Sequence, residues 1–406
     1  MITRIKAHNF KCFKDVDVEL KPLTVLCGLN GSGKSTFIQV ITALKACALN
    51  WADGMSSLNL QSADNDIGTA HDMYYQFNGT DDLIISIGVG IDGPDGPSAT
   101  LSFPYVEEDA GLDRLELVGN ADSVDEERKI AAELKKVRRL SANRLGPQGE
   151  YRNSESAVRN RDMGLDGAFA AAYLLARGSQ GVDASLCRQN SSVRAVSNSL
   201  SDQVSAWMEV VSPYASVQVE RGSTDEKVKL SYSFATKTKK VELRPANVGA
   251  GLSIVLPVLV MLLSSEPGDC LIIENPESDL HPRGQAELAN LIARAVRRGV
   301  QVIVETHSDH IINGIRVAVK QGAVDSEAVR ILFFRRDNAK VLMNAQGDDS
   351  GLVEQYSYVT LIDMDANGVL SKPCRDLLDM WGIQLDYLIG LSESPSGGEG
   401  NTEGGG

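Results

Sequence analysis

Cysteine is sparse and scattered along the 406 residues. Cys12, Cys27, Cys47, Cys187, Cys270 and Cys374 form no C-x-x-C pair, which argues against a zinc site or a disulfide framework. Reduced thiols are expected, two of them inside apolar runs of strand length. Long apolar runs are missing too. The most apolar stretch, residues 252–263, is too short to span a bilayer and contains Pro257. Met1 leads directly into an alternating strand pattern rather than a signal peptide, so a cytoplasmic protein with no membrane contact is expected. Positive charge is in deficit: 40 Lys and Arg against 54 Asp and Glu leave a net charge of −14. The molecule as a whole should therefore repel nucleic acid, and any DNA or RNA contact needs a local basic surface. Apolar residues are plentiful, at 43% of the total. They suffice for one large core, or one core with a lateral subdomain.

Residues Gly28-Leu29-Asn30-Gly31-Ser32-Gly33-Lys34-Ser35-Thr36 fill every fixed position of the phosphate-binding loop G-x-x-x-x-G-K-[ST]. Residues 23–27 before it form an apolar run of strand length, and Phe37, Val40, Ile41 and Leu44 after it recur at helical spacing. Strand, glycine loop and helix are the context that such a loop needs. Backbone N–H groups can then turn inward onto the β- and γ-phosphates at the positive end of a helix. Lys34 brings a point charge to the terminal phosphates, and the Ser35 hydroxyl can ligate Mg²⁺. An ordinary strand-to-helix turn has no use for Lys34. The reading is an ATP site with Mg²⁺, its nucleotide-binding residues Asn30, Gly31, Ser32, Gly33, Lys34, Ser35 and Thr36.

Upstream, residues 2–9, 16–20 and 24–27 read as strands, with Asn9-Phe10-Lys11-Cys12-Phe13-Lys14 between the first two. A strand, then N-F-K-x-F, then an apolar strand into G-x-N-G-S-G-K-S-T resembles the amino-terminal half of the SMC, RecF and OLD-type ATPases. That resemblance implies a basic residue near this turn approaching the nucleotide, here Lys11, against the plain alternative of a solvated turn lysine. It also implies a glutamine that senses metal and γ-phosphate roughly at Gln61, against a plain loop glutamine. Residues 50–120 otherwise read as a small antiparallel sheet flanking the nucleotide. Residues 124–140 read as a charged helix ending in Lys135-Lys136-Val137-Arg138-Arg139, a solvated helix end with a DNA patch as the alternative. Residues 140–147 resemble the R-x-x-P element of OLD-like ATPases, which makes Arg144 either a phosphate or interface arginine or a structural one. Residues 155–212 read as helical with glycine breaks, and 216–244 as two or three strands. This insertion is too short, and too poor in heptads, for the coiled-coil arm of an SMC protein.

Asn247-Val248-Gly249-Ala250-Gly251-Leu252-Ser253 precedes an apolar helix and resembles the N-V-G-x-G-x-S form of the ABC signature in OLD-like ATPases. The resemblance implies that Gly249, Gly251 and Ser253 grip the γ-phosphate bound to another subunit. Residues 270–274 form an apolar strand ending in Glu274, the carboxylate that a Walker B element requires to orient Mg²⁺ and its water. The ABC pattern has a second acid directly after the first, yet Asn275 stands there, leaving Glu277 as the nearest replacement base. His281, farther along this loop, reads as an interface or structural residue. Residues 301–305 form another apolar strand, followed by Thr306 and His307, by resemblance the switch histidine of this superfamily. His307 and His310 are not read as a metal pair. The expected catalytic set is Glu274, Glu277 and His307, and the expected metal ligands are Ser35, Glu274 and Gln61.

The alternation of strands and helices predicts an α/β fold. The resemblance makes it a P-loop NTPase, an ABC-ATPase head with a mostly parallel sheet, a flanking antiparallel sheet and a lateral helical insertion. The expected divisions are an N-terminal ATPase lobe at 1–120, a helical insertion with strands at 121–245 and a C-terminal ATPase lobe at 246–325. A small C-terminal domain at 326–391 and a disordered tail at 392–406 follow. OLD nucleases append a Toprim domain, which needs a strand-end glutamate and a later D-x-D. Asp363-Met364-Asp365 is present without that glutamate, and no nuclease is expected. The resemblance implies Mg-dependent ATP hydrolysis at composite sites of a homodimer or higher homo-oligomer, Lys34 of one copy opposite Ser253 of the other. It further implies a sensor or scaffold subunit of a bacterial anti-phage defence system that works with a separate nuclease or toxin effector. The alternative is a RecF-like genome-maintenance ATPase that binds DNA directly.

Overall fold

The computed structural model describes residues 1–50, 57–62, 65–77, 83–118, 124–188, 197–235, 239–343, 349–372 and 377. The chain opens with strands β1 (Ile2–Phe10), β2 (Phe13–Glu19) and β3 (Leu23–Gly28), then helix α1 (Lys34–Asn50). Short strands β4 (Ser57–Asn59), β5 (Gln61–Ser62) and β6 (Asn65–Asp66) and the one-turn helix α2 (Ala70–Met73) follow. Next come β7 (Ile84–Ile91), β8 (Ser98–Pro104), β9 (Arg114–Glu116), helix α3 (Val124–Lys135) and β10 (Val137–Leu140). The lateral region holds β11 (Glu150–Arg152), α4 (Glu155–Arg159), α5 (Ala170–Arg177) and α6 (Leu200–Val211), then β12 (Ala215–Arg221), β13 (Lys227–Ala235) and β14 (Lys240–Leu243). Helices and strands then alternate through α7 (Ala250–Leu263), β15 (Cys270–Glu274), α8 (Pro282–Arg297), β16 (Gln301–Glu305) and α9 (Asp309–Lys320). The hairpin β17 (Val329–Met343) and β18 (Asp349–Ile362) comes last.

The central sheet has the order β10-β15-β16-β3-β17-β18. Its first five strands run parallel and β18 closes the edge antiparallel. Every residue of β15 and β16 is buried, as a parallel sheet covered on both faces requires. Strand alternation sends successive side chains to opposite faces. Leu23, Val25 and Cys27 pack with residues of α5 to α9 in one core, while Leu26, Ile272 and Leu332 pack under α1 and α3 in a second. The second core also fills the space beneath the antiparallel sheet β2-β1-β7-β8. The flanking sheet is thus built on β1 and β2 as well as on the strands after α1.

Two local expectations change. The helix predicted over 124–140 ends at Lys135, and Val137–Leu140 is an edge strand parallel to β15. The physical reason is pairing: Val137 and Leu140 are buried, while Arg138 meets Asp269 at 2.8 Å and Arg139 meets Glu274 at 2.7 Å. Lys135 and Lys136 do form an exposed helix end, as expected, whereas Arg138 and Arg139 belong to the strand and are held by acids. The apolar runs at 329–335 and 341–345 predict two separate strands from sequence alone, yet they belong largely to one strand that pairs along its length with β18. The sequence also predicts a helix near 374–391, which falls almost wholly outside the described residues, as the tail at 392–406 does entirely. Among the described residues no helix is long and apolar enough to cross a membrane.

Candidate nucleotide site

The phosphate loop runs between β3 and α1, at the carboxyl end of the central strands, where open α/β sheets place their ligands. Two glycines are dictated by space as well as by dihedral angle. At Gly28 φ is +138°, and a Cβ would lie 2.2 Å from the carbonyl oxygen of Phe334 on β17. At Gly33 φ is +110°, and a Cβ would lie 2.9 Å from the Phe13 ring. Lys34 opens α1, and its buried ammonium donates to the carbonyl oxygens of Gly28 and Leu29, each at 2.9 Å. Burial lowers the Lys34 pKa, while the Glu305 carboxylate opposes that fall.

Glu305 was not among the expected site residues, yet the register brings it there. Parallel pairing of β15 with β16 sets Glu274 opposite Glu305, about 5 Å apart along the sheet. Both side chains are buried. Glu274 Oε1 accepts from Arg139 Nε at 2.7 Å and Oε2 from the Ala142 amide at 3.3 Å. Glu305 Oε1 accepts from Ser35 Oγ at 3.5 Å. Burial first, and the charge of Glu274 second, push the Glu305 carboxyl up to about 7. The signal that could have found it is the one that marked Glu274: an acid ending an otherwise apolar buried strand.

His307 lies two residues beyond Glu305. The His307 amide donates to Glu277 Oε1 at 2.9 Å, while Glu277 Oε2 is buried without a partner. Asn275, at φ +43°, also has a buried carbonyl oxygen, Oδ1, without a partner. Burial and then the Lys34 charge hold the His307 imidazole below its ordinary value, so it is neutral at pH 7 and can accept as well as donate. A cavity of about 350 Å³ is lined by Asn30, Gly31, Gly33, Lys34, Ser35 and Thr36 from the loop, facing Cys12, Ala142, Glu274, Asn275, Glu305 and His307, while Glu277 lies behind His307, outside that lining. Its donors are oxygens and one imidazole. Among the described residues no cluster of three or more His, Cys, Asp and Glu could cage a metal. Two carboxylates and a hydroxyl do fit Mg²⁺, which keeps several waters and takes the rest of its ligands from phosphates.

Other expected residues lie elsewhere. Ser32 is buried with its hydroxyl unpaired and does not line the cavity. Lys11 sits at φ +52° beside Cys12, outside the cavity lining, and burial depresses its ammonium. Gln61 is exposed on β5, donating to the Gly68 carbonyl at 3.3 Å. Gly251 is pressed against the loop before α8, where a Cβ would come within 2.5 Å of the Asp279 carbonyl oxygen. Ser253 is 2% exposed, its hydroxyl 3.2 Å from that of Tyr232. Of the three signature residues, only Gly249, the N-cap of α7, is at the surface. Arg144 has the structural role among its alternatives. Its guanidinium donates to the carbonyls of Ile254 (3.0 Å), Ser141 (2.9 Å), Glu274 (2.5 Å) and Asn275 (2.6 Å). Burial lowers it to about 10. His281 caps α8, its Nδ1 accepting from the Arg283 amide at 3.3 Å. Asp363 is held by Arg330 and Lys21, and Asp365 accepts from the Asn367 and Val369 amides.

The chain matches two family models: residues 1–144 an "AAA ATPase domain", and residues 115–313 an "AAA domain, putative AbiEii toxin, Type IV TA system". A curated relative, the OLD nuclease of Thermus scotoductus, is 44% identical over 41 residues, which cover 10% of this chain and 8% of the nuclease. Among solved structures, an SMC head bound to the C-winged helix domain of ScpA superposes with a TM-score of 0.50 at 13% identity. That match covers 89% of this chain and 98% of the head. An SMC head domain with an extended coiled coil, bound to the C-terminal domain of ScpA from Pyrococcus furiosus, gives 0.45 at 13% identity, covering 88% and 96%. The chain thus has the P-loop fold of an SMC head, is similar over residues 1–144 and 115–313 to AAA ATPase domains, and shares a short segment with an OLD nuclease, so that it resembles the SMC- and OLD-like ABC-type ATPases.

Proposed function

We propose that this chain binds ATP with Mg²⁺ and hydrolyses it at composite sites made by two copies facing head to tail. One observation carries the reading: Lys34, Ser35, Glu274 and His307, far apart in sequence, line one cavity at the phosphate loop. When bound, Mg²⁺ supplies charge to the phosphate oxygens. Lys34 would turn from its carbonyl partners to the terminal phosphates, Ser35 and a strand-end acid would hold the cation, and His307 would face the γ-phosphate through a neutral ring. Glu277, anchored through Oε1, presents Oε2 as the acceptor for a proton of the attacking water. Residues exposed at the start of α7, including Asn247, Gly249 and Ala250, form the half-site offered to the partner copy.

In this reading the ATP-driven dimer is a sensor or scaffold in bacterial anti-phage defence, acting through a separate nuclease or toxin. The family match whose description names a putative toxin and the short match to an OLD nuclease support that role. The RecF-like alternative loses support from the basic run, because Arg138 and Arg139 are taken up by Asp269 and Glu274. The test is twofold. Light scattering with ATP should show dimers for the wild type and none for Lys34→Ala, and phage plating on cells carrying the gene with its neighbours should depend on Lys34. Salt-sensitive DNA binding in ATP, with no plating defect, would favour the alternative.

A further inference from the structure

We propose that Glu305, rather than Glu274, is the carboxylate that joins Ser35 in holding the divalent cation of the nucleotide site. Glu274 is then a counter-ion that fixes Arg139 and the turn at Ala142. The assignment rests on the nucleotide-binding reading above.

Three relationships separate the two acids. First, each oxygen of Glu274 is engaged by the polypeptide, Oε1 by the Arg139 guanidinium and Oε2 by the Ala142 amide. An ion pair at 2.7 Å between side chains that are 16% and 8% exposed neutralises that carboxylate within the fold. Second, the hydroxyl at the end of the phosphate loop is directed at the other acid, since Ser35 Oγ donates to Glu305 Oε1. Ser35 lies in the first turn of α1, directly after β3, and β3 pairs with β16, so the topology itself sets this hydroxyl over the end of the switch strand.

Third, the loop lysine is turned to other partners. Lys34 Nζ is committed to the carbonyls of Gly28 and Leu29, and on the proposed cycle it moves to phosphate. Two carboxylates in register on neighbouring strands, both buried, repel each other. Arg139 offsets the Glu274 side of that repulsion. A divalent cation between Ser35 and Glu305 offsets the other side, and its remaining positions stay open to water and phosphate oxygens.

The test uses the full chain and Mn²⁺ as the probe, counted by electron paramagnetic resonance with ATP present, with ATP affinity measured separately in EDTA. Glu305→Gln is isosteric and should weaken Mn²⁺ binding at least about tenfold, the loss of a charge-assisted contact, while ATP affinity in EDTA is unchanged. Glu274→Gln should weaken Mn²⁺ less. Combining Ser35→Ala with Glu305→Gln should cost no more than the larger single loss, because the two hold one ion. A loss carried equally or mainly by Glu274→Gln, or additive losses for Ser35 and Glu305, would overturn the assignment alone. A wild-type protein that binds no ATP in EDTA or in Mn²⁺ would remove the underlying reading and the assignment with it.

Discussion

The hydroxyl of Tyr232 lies 3.2 Å from that of Ser253, inside the core beneath the signature helix. Burial pushes the Tyr232 phenol well above its ordinary value, so the pair is neutral at any working pH. Ser253 therefore helps to seat α7, and the contact surface proposed above is confined to its exposed N-terminal turn.

Ser253→Arg should unfold the protein, since it drives a cation into a packed site. Ala250→Arg is the informative change. It should leave thermal stability and monomer ATP affinity unchanged while abolishing ATP-dependent dimers in light scattering. Dimers that persist would remove this turn from the interface.

Lys34→Ala should weaken ATP binding by about tenfold or more, the loss of charged hydrogen bonds worth roughly 1.5–3 kcal/mol. Isothermal titration measures it, and unchanged affinity would discredit the phosphate loop assignment.

Arg144→Ala strips the donor from the carbonyls of Ser141, Ile254, Glu274 and Asn275. A destabilisation of about 3 kcal/mol or more is expected from leaving such groups unpaired, read from the urea midpoint. Arg144→Lys should recover only part of it, because a point charge cannot reproduce the planar fork.

Glu277→Gln keeps an oxygen for the His307 amide and so should leave the fold and ATP affinity intact. Phosphate release should fall by about a hundredfold or more if Oε2 accepts the water proton. Turnover equal to wild type would reduce Glu277 to an anchor of the switch loop.

Glu305 gives a pH signature in metal-free buffer. Its folded pKa of about 7 exceeds the ordinary 4.5, so between those values the folded chain retains a proton that the unfolded chain has lost. The stability it contributes is complete below pH 4.5, declines as pH rises to about 7, and is flat beyond, a change of at most about 3 kcal/mol. Glu305→Gln should lack this decline and melt higher than wild type above pH 7 in EDTA. Parallel melting curves for the two proteins would contradict the buried acid pair.

The phosphate loop could be read from sequence because its determinants are contiguous: a glycine needed for φ or space, a lysine and a serine within one turn. Strands β15 and β16 were readable from unbroken apolar runs for the same reason. What escaped depends on pairs distant in sequence. Glu305 gains its meaning only through register with Glu274 on the next strand. Ser253 is hidden by a tyrosine on β13, and Arg138 and Arg139 became a strand because their acids lie on and just before β15. Gln61 could not be located by spacing, since its segment pairs locally with Asn65 and Asp66.

Gly28 touches the backbone of Phe334, and β3 is flanked by β16 and β17. During synthesis the phosphate loop leaves the ribosome about 300 residues before the strand that walls it, several times the length of a simple hairpin unit. The nascent loop therefore waits without its partners, and nucleotide cannot template the early chain. A premature stop ahead of β15 yields a polypeptide that carries the whole motif yet lacks Glu274, Asn275, Glu305 and His307, the facing wall of the pocket.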